Sequence, residues 1–268
     1  MMSRPVTSLT AIVIARNEAS HIEDCLRTLD FADERLVLDG GSDDDTVARA
    51  KRLGARVLEQ PDWQGFGIQR QRAQAQARGD WLLMVDADER VSPMLGREIR
   101  AAVDDTDPET SPQVYEIPRL TSVFGRFIRH GGWYPDWVAR LYAREAGHYD
   151  SARVHEKLVP VPGVRVARLE QPLLHYSYTS VDQYLVKSAR YAQEWAIEKD
   201  RQGMQPTLAQ GLWHAVGCGL RMYVLRAGFL DGTEGWLLAL LSAHSTFVKY
   251  ASLWVRQRNP RDQAIGSG

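Results

Sequence analysis

The sequence predicts an α/β protein on a mostly parallel sheet, with helices added at its C-terminal end, and three observations carry that prediction. Apolar runs of strand length alternate with helical patterns at spacings that suit strand–helix–strand crossovers. The runs at Leu9–Ala15, Arg35–Asp39 and Trp81–Val85 are apolar through their middles, as strands buried on both faces are. Each then stops abruptly at polar residues, most sharply at Val85-Asp86-Ala87-Asp88-Glu89, three carboxylates interrupted by one alanine.

In chain order, the first strand, Leu9–Ala15, is followed at once by Arg16-Asn17-Glu18. Asn17 suits the cap of a helix over Glu18–Leu29, where Ile22, Leu26 and Leu29 recur at three and four. Arg35–Asp39 is a second strand. Gly40-Gly41-Ser42-Asp43-Asp44-Asp45-Thr46 then makes a tight acidic turn into a helix over Asp45–Leu53. Arg56–Glu59 is a third strand. Trp63-Gln64-Gly65-Phe66-Gly67 leads into a helix over Ile68–Arg78, almost all Gln, Arg and Ala, in which Ala73 and Ala77 share a face. Gly79-Asp80 ends it and delivers the chain to the Trp81 strand.

Residues 104–112 read as a surface loop, and Gln113–Arg119 alternates like a strand with one solvated face. Val123–Arg129 reads as a mobile segment whose arginines suit an anionic group, and Leu173–Tyr176 as a short strand or turn. Three helices follow. Val181–Lys199 is amphipathic, with Val181, Tyr184 or Leu185, Ser188, Tyr191 and Trp195 on a face expected to pack on the preceding α/β domain. Leu208–Leu225 resumes the pattern after Pro206, Gly228–Gly235 is a loop, and Trp236–Val255 is the last helix. The expected division is an α/β domain over 1–178 and C-terminal helices over 179–268.

With a formal net charge of -1, bulk attraction to DNA or RNA is not expected. Two distant cysteines, Cys25 and Cys218, make neither a zinc spacing nor a disulfide framework, which suits a reducing compartment. Residues 1–10 do not read as a signal peptide, and the richest apolar stretch, Trp236–Val248, falls short of the roughly 20 residues that span a bilayer. Cytoplasmic residence is the default. From Arg201 onward, however, seven Lys or Arg stand against three Asp or Glu, among many aromatic residues. That composition suits a protein lying on an anionic membrane, and equally a helical bundle or a dimer surface.

The acids at the end of the Trp81 strand stand where open α/β sheets bind ligands, at the carboxyl edge. Asp86 and Asp88, two apart on an extended segment, point the same way and can share a divalent cation, or divide a ribose and a metal between them. The bland alternative is an Asp-rich turn that caps the next helix. A dinucleotide site is disfavoured because Arg16-Asn17-Glu18 occupies the place of the Gly-x-Gly-x-x-Gly turn.

Taken together, Ile12-Val13-Ile14-Ala15-Arg16-Asn17-Glu18, Val37-Leu38-Asp39-Gly40-Gly41-Ser42-Asp43-Asp44-Asp45-Thr46 and Val85-Asp86-Ala87-Asp88-Glu89 resemble the family 2 glycosyltransferases, of GT-A fold. The bacterial branch acting on the lipopolysaccharide core, the β-1,4-glucosyltransferase type, is similar also at Trp63-Gln64-Gly65-Phe66-Gly67-x-Gln69, Gly131-Gly132-Trp133-Tyr134-Pro135, Arg140-Leu141-Tyr142 and Val154-His155-Glu156-Lys157-Leu158. The resemblance implies that Ala15, Arg16 and Glu18 line a nucleotide pocket, that Asp39 binds the base, usually uracil, and that Asp86 contacts the ribose side. It implies Mg²⁺ or Mn²⁺ on Asp88. Gln69 and Arg72 are counted with the donor-binding residues, and either Arg70 or Arg72 can reach a phosphate or remain solvated. One departure is Gly40, in a slot the family commonly fills with Ser.

The reaction so implied moves a hexose, glucose first, from a UDP-sugar to a lipopolysaccharide core sugar or similar lipid-linked glycan at the inner face of the cytoplasmic membrane. It needs charge neutralisation on the departing diphosphate and a base for the incoming hydroxyl. Glu156 and Asp136 compete as that base. Glu156 is otherwise a surface partner of Lys157 or Arg153, and Asp136 a cap or a partner of Arg140. His155 orients the carboxylate or is an ordinary half-buried histidine, while Trp133 and Tyr134 stack on a sugar or simply pack. Alternatives are a same-fold transferase for a polyprenyl- or protein-linked acceptor and a nucleotide-sugar-binding protein without turnover. A homo-oligomer is left open.

Overall fold

The computed structural model describes residues 7–108, 110, 111, 113–152 and 156–258. His155, Arg153 and Val154 lie outside these. The chain divides into two compact units: the described residues up to Arg119 with Asp136–His175, and Leu120–Pro135 with those from Tyr176 on.

The first unit holds the α/β fold the sequence predicts. Strand β1 (Leu9–Ala15) is followed by helix α1 (Ile22–Arg27), β2 (Glu34–Asp39), α2 (Thr46–Arg52), β3 (Arg56–Glu59), α3 (Phe66–Gln76) and β4 (Trp81–Asp86). The order β3-β2-β1-β4 is parallel throughout, and β1 is buried at every position. Register is what matters for function. Ala15 pairs with Asp39 and Ile14 with Asp86, so the strand-end residues arrive together at one carboxyl edge.

After β4 come β5 (Glu89–Val91), α4 (Pro93–Asp105), β6 (Gln113–Val123), β7 (Arg126–Phe127) and β8 (Asp136–Ala143). Helix α4 is not among the predicted elements, although its signals are present. Ser92 accepts a bond from Leu95 N, Pro93 takes the first turn, and Leu95, Ile99 and Val103 are buried at four-residue spacing. Strand β8 runs antiparallel to both β4 and β6, which converts a parallel half-sheet into a mixed one. Short strands β9 (Gly147–Tyr149), β10 (Leu158–Pro160) and β11 (Arg165–Arg168) precede β12 (Leu173–Tyr178), whose Leu173, Leu174 and His175 pair antiparallel with β5.

Two local expectations are corrected. Asn17 is not a helix cap. It adopts φ 57, its side chain accepts from Asp43 N, and its own N–H donates to Ser42 Oγ, so it laces the turn after β1 to the turn after β2. Helix α1 therefore starts only at Ile22. The segment expected to be mobile at Val123–Arg129 is a hairpin, turned at Phe124-Gly125 with both residues at positive φ, and Ile128 N donates to Thr121 O.

Helix α3 has no apolar stripe, and the structure shows why it folds regardless. Its buried residues include Gln69 and Arg70, and its glutamines serve as backbone partners: Gln71 Nε2 donates to Tyr149 O at 2.6 Å and Gln74 Nε2 to Gly147 O at 2.9 Å. Gly67 lets the crossing chain come this close. A Cβ there would sit 2.1 Å from Asp150 O, and Gly67 N donates to Ala152 O. Gly40 has a comparable reason for departing from the family's usual Ser, since its Cβ would fall 2.5 Å from the Trp63 ring.

The second unit is helical. Its helices are α5 (Val181–Arg201), α6 (Leu208–Leu220) and α7 (Gly232–Arg258), with a π-helical turn over Arg221–Leu225 and a 3-10 turn over Gly228–Asp231. The predicted helix over Leu208–Leu225 thus changes pitch at Arg221, and the predicted loop ends early because α7 already begins at Gly232. The apolar face of α5 packs on α7, through Trp195 on Tyr250 and a Tyr184–Ser242 hydrogen bond at 3.2 Å. Replacing Gly67 with alanine is expected to destabilise the protein by about 1–3 kcal/mol, because backbone atoms rather than a flexible side chain must move; urea denaturation of both proteins checks this.

Candidate active site

At the carboxyl edge of β4 the acids do not stand free. Asp86 is held between two guanidiniums, with Arg70 Nη2 on Oδ1 at 2.6 Å and Arg140 Nη2 on Oδ2. Arg70, at 2% exposure, uses its Nε to donate to Glu156 Oε1 at 2.8 Å. On the other side Arg140 also reaches Glu89 Oε1 at 2.8 Å, Arg119 stands 3.6 Å from that same oxygen, and Arg119 is paired with Asp136 at 2.6 Å. The result is one unbroken series of alternating charge: Asp136, Arg119, Glu89, Arg140, Asp86, Arg70, Glu156. Both candidate bases are its ends.

Each member has a reason to be where it is. Arg70 comes from the polar helix α3, Arg140 from β8, and Arg119 from β6 opposite Asp136 in the β6–β8 register. Glu89 is fully buried and also accepts from Asp86 N at 2.8 Å, so it fixes the turn between β4 and β5. Burial pushes the Glu89 carboxyl above its ordinary range against the pull of Arg140. For Asp86 burial acts in the same upward direction, but Arg140 and then Arg70 more than offset it and hold this carboxyl well below the usual range.

Asp88 lies outside the series. Its Oδ2 is 3.2 Å from His175 Nε2, and the β5–β12 register brings that histidine there. An extended Asp86-Ala87-Asp88 would have turned both acids alike; because β4 ends at Asp86 and the chain turns, they take different partners. No group of three His, Cys, Asp or Glu among the described residues makes a closed metal site. One carboxylate and one imidazole instead suit a cation that takes its remaining ligands from substrate phosphates and water, the habit of Mg²⁺ and Mn²⁺. Excess negative potential at this spot is registered by Glu18, whose carboxyl burial pushes up to about 7 with help from Asp88, Asp44 and Asp86. The donor set fits.

The other predicted residues lie at the ends of β1 and β2, on the turn after β1, and on α3. Ala15 is buried, with its carbonyl accepting from Gly40 N; Arg16 is exposed; and Glu18 N donates to Thr46 Oγ1. Asp39, 2% exposed, closes the acidic turn by accepting from Gly41 N, Ser42 N and Ser42 Oγ. Gln69 is buried and donates to Gln60 O, whereas Arg72 is paired with Asp62 at 2.9 Å. Arg72 thus stays with the 60–62 loop, and Arg70 is tied to acids instead of projecting to solvent. Asp136 proves to be the partner of Arg119, not of Arg140. Trp133 packs on Tyr178 in the second unit's apolar cluster, which supports the packing reading for that residue.

Sequence reasoning missed the roles of His175, Arg119 and Glu89 and underrated Arg140. His175 carried no usable signal, since a lone histidine in a short strand shows nothing until its partner strand is known. Arg140 stood in a recognised motif, but its partners are 51 and 54 residues away.

A family model described as glycosyl transferase family 2 matches residues 10–155, and the chain belongs to that family. Its α/β fold is of the GT-A type. A glycosyltransferase of Rickettsia bellii is 27% identical over 263 residues, covering 91% of this chain and 85% of its own. The lipopolysaccharide core biosynthesis glycosyltransferase LpsC of Rhizobium meliloti is likewise 27% identical, over 94% of each chain. Among solved structures, S. aureus TarS residues 1–349 in complex with UDP covers 94% of this chain at 16% identity and a TM-score of 0.47.

The shift of Glu18 gives a pH dependence whose sign is fixed. Its folded value of about 7 lies above the ordinary 4.5, so the folded protein holds this proton more tightly. The associated stability is complete below about 4.5 and is lost as pH rises to about 7. In chelator, wild-type protein is expected to lose about 1 kcal/mol between about pH 5 and about pH 8 relative to Glu18→Gln, less than the full shift would give because the carboxyl is partly solvated, as read from denaturation at both values.

Proposed function

We propose that the chain is an inverting glycosyltransferase that moves a hexose, glucose first, from a UDP-sugar to a lipopolysaccharide core sugar or a similar lipid-linked glycan. Membership of the family supports sugar transfer, and the lipopolysaccharide core role carried in the name of the Rhizobium relative supports the acceptor class. The observation that carries the reading is the bridge formed by Arg70 between Asp86 and Glu156. It ties the late acidic motif directly to the strand-end acid, so that the base and the donor-binding edge share one rigid support.

In this reading Glu156 is the base. It is 12% exposed, and Arg70 engages Oε1 and leaves Oε2 to accept the proton of the attacking hydroxyl. Asp136 is the competitor, 45% exposed and separated from Asp86 by two arginines and Glu89. Asp86, kept ionised between its guanidiniums, accepts hydrogen bonds from the ribose. Asp39 shapes the turn against which the base lies, and Ala15, Arg16 and Glu18 form the wall beside it, with Gln69 and Arg72 supporting the neighbouring loop. A divalent cation, Mg²⁺ or Mn²⁺, held by Asp88 with His175 would neutralise charge on the departing diphosphate. Attack at the anomeric carbon from the face opposite that diphosphate inverts its configuration. The work is done at the cytoplasmic face of the inner membrane, where such acceptors are met.

Two substitutions separate binding from chemistry. Asp88→Asn is expected to weaken Mn²⁺-dependent binding of UDP-glucose at least about tenfold, by titration calorimetry with and without EDTA. Glu156→Gln is expected to keep that binding and to lower kcat by on the order of 10²–10⁴; normal turnover by this variant, with loss in Asp136→Asn, would transfer the base role to Asp136.

A further inference from the structure

Helix α6 is built inside out. Leu208–Leu220 contains no charged residue, and a helix apolar all round belongs in a protein core or in lipid. No core encloses it among the described residues: only Gly211 and Ala215 are buried, while Leu212 and Leu220 are 58% exposed and Trp213 is 76% exposed. The side turned to α7 carries small residues four apart, Gly211, Ala215 and Gly219, beside His214, whose ring stacks on Tyr250 at 4.9 Å. A Cβ on Gly211 would lie 2.7 Å from Tyr250 Cβ, and one on Gly219 3.5 Å from Ala243 Cβ. Small residues against the partner helix and large apolar ones outward is how helices pack when lipid is their solvent. A helix facing water has the opposite arrangement.

The apolar surface continues beyond the helix. Val224, Leu225, Phe229, Leu230, Trp236 and Leu240 are all at least half exposed. The most exposed charges on this stretch are arginines, and its one partly exposed acid, Glu234, is 32% exposed. Arg221 and Arg226 are exposed, whereas Asp231 is buried with its carboxylate engaged by the Arg129 and His130 amides and by His130 Nδ1. Glu234 faces Arg126 at 3.8 Å. A second copy of the chain meeting this face would bring two more exposed arginines to the contact with only the partly exposed Glu234 of each copy to offset them, while an anionic headgroup layer complements both arginines. No described helix is long and apolar enough to cross a membrane, so the contact is interfacial.

We propose that the α6–α7 turn, from Leu208 to Leu240, is a monotopic anchor seated in the interfacial layer of an anionic phospholipid bilayer. Its large apolar side chains reach the acyl boundary, and Arg221 and Arg226 meet lipid phosphates. This deepens the reading of a membrane-borne acceptor and rests on it for the biological setting; the physical argument stands on the helices of the second unit alone.

The test is flotation of the full chain with phosphatidylcholine vesicles containing or lacking phosphatidylglycerol, with UDP-glucose binding measured on the same preparations. Wild-type protein is expected to float with the anionic vesicles. Trp213→Glu with Leu220→Glu, on one exposed face, is expected to lower vesicle affinity by on the order of a hundredfold, and Arg221→Gln by about fivefold, with donor affinity and thermal stability unchanged. Failure to bind anionic vesicles, equal binding to neutral ones, or unchanged binding by the double variant would overturn the proposal. So would a wild-type dimer that the double variant dissociates while vesicle binding persists. Vesicle binding without donor binding would leave the anchor standing and sink the reading of the acid site.

Discussion

The catalytic unit depends on one set of buried charges, the Arg140–Asp86–Arg70 pairing and its extensions to Glu89 and Glu156. Withdrawing guanidinium and carboxylate groups from water costs several kcal/mol per ion, and the arrangement persists only because nearly every member is paired on both sides. Removing a single partner leaves an uncompensated charge, at a cost of about 3–5 kcal/mol. The network therefore specifies geometry more than it adds stability. Helix α3, strand β8 and the turn after β4 must all be in place before any of these charges is satisfied.

Several otherwise odd features of the chain follow from that constraint. Helix α3 buries Gln69 and Arg70 and lacks an apolar stripe, because its inward face must deliver a guanidinium and amide donors to neighbouring backbone. Gly67 admits the crossing segment at Asp150–Ala152, which leads towards Glu156, the far end of the series. Arg70 Nη1 and Arg140 Nε have no hydrogen-bond partner among the described residues. Both guanidiniums are nonetheless held against Tyr149, whose ring lies 5.1 Å from Arg70 Cζ.

The second unit obeys a different rule. Its α5 face packs as an ordinary amphipathic helix does, with aromatic rings and serine hydroxyls meeting α7. Helix α6 instead uses glycine and alanine to approach α7 closely and presents its bulk outward. Two helices joined by a short connection thus display two solvents: water on the charged side of α5, and an apolar phase on the outer side of α6. Composition alone could not separate these, because the same leucines and tryptophans serve a core, a dimer or a bilayer until their exposure is known.

The sequence by itself determined the strand–helix alternation, the parallel half of the sheet, the family and the edge at which the acids gather. Those features are local: they rest on apolar runs, on turn chemistry, and on acids adjacent to the strands that carry them. It also supplied both candidate bases, but as a choice between Glu156 and Asp136 with no relation between them. Only the tertiary structure joined the two through Arg119, Glu89, Arg140, Asp86 and Arg70, paired His175 with Asp88 across 87 residues, and turned Asn17 from a helix cap into a link between two loops. Ion pairs leave no periodicity in a sequence. Which arginine meets which acid is set by strand register and helix placement, so the same residues at the same positions are an inventory until the sheet has formed and an organised site afterwards.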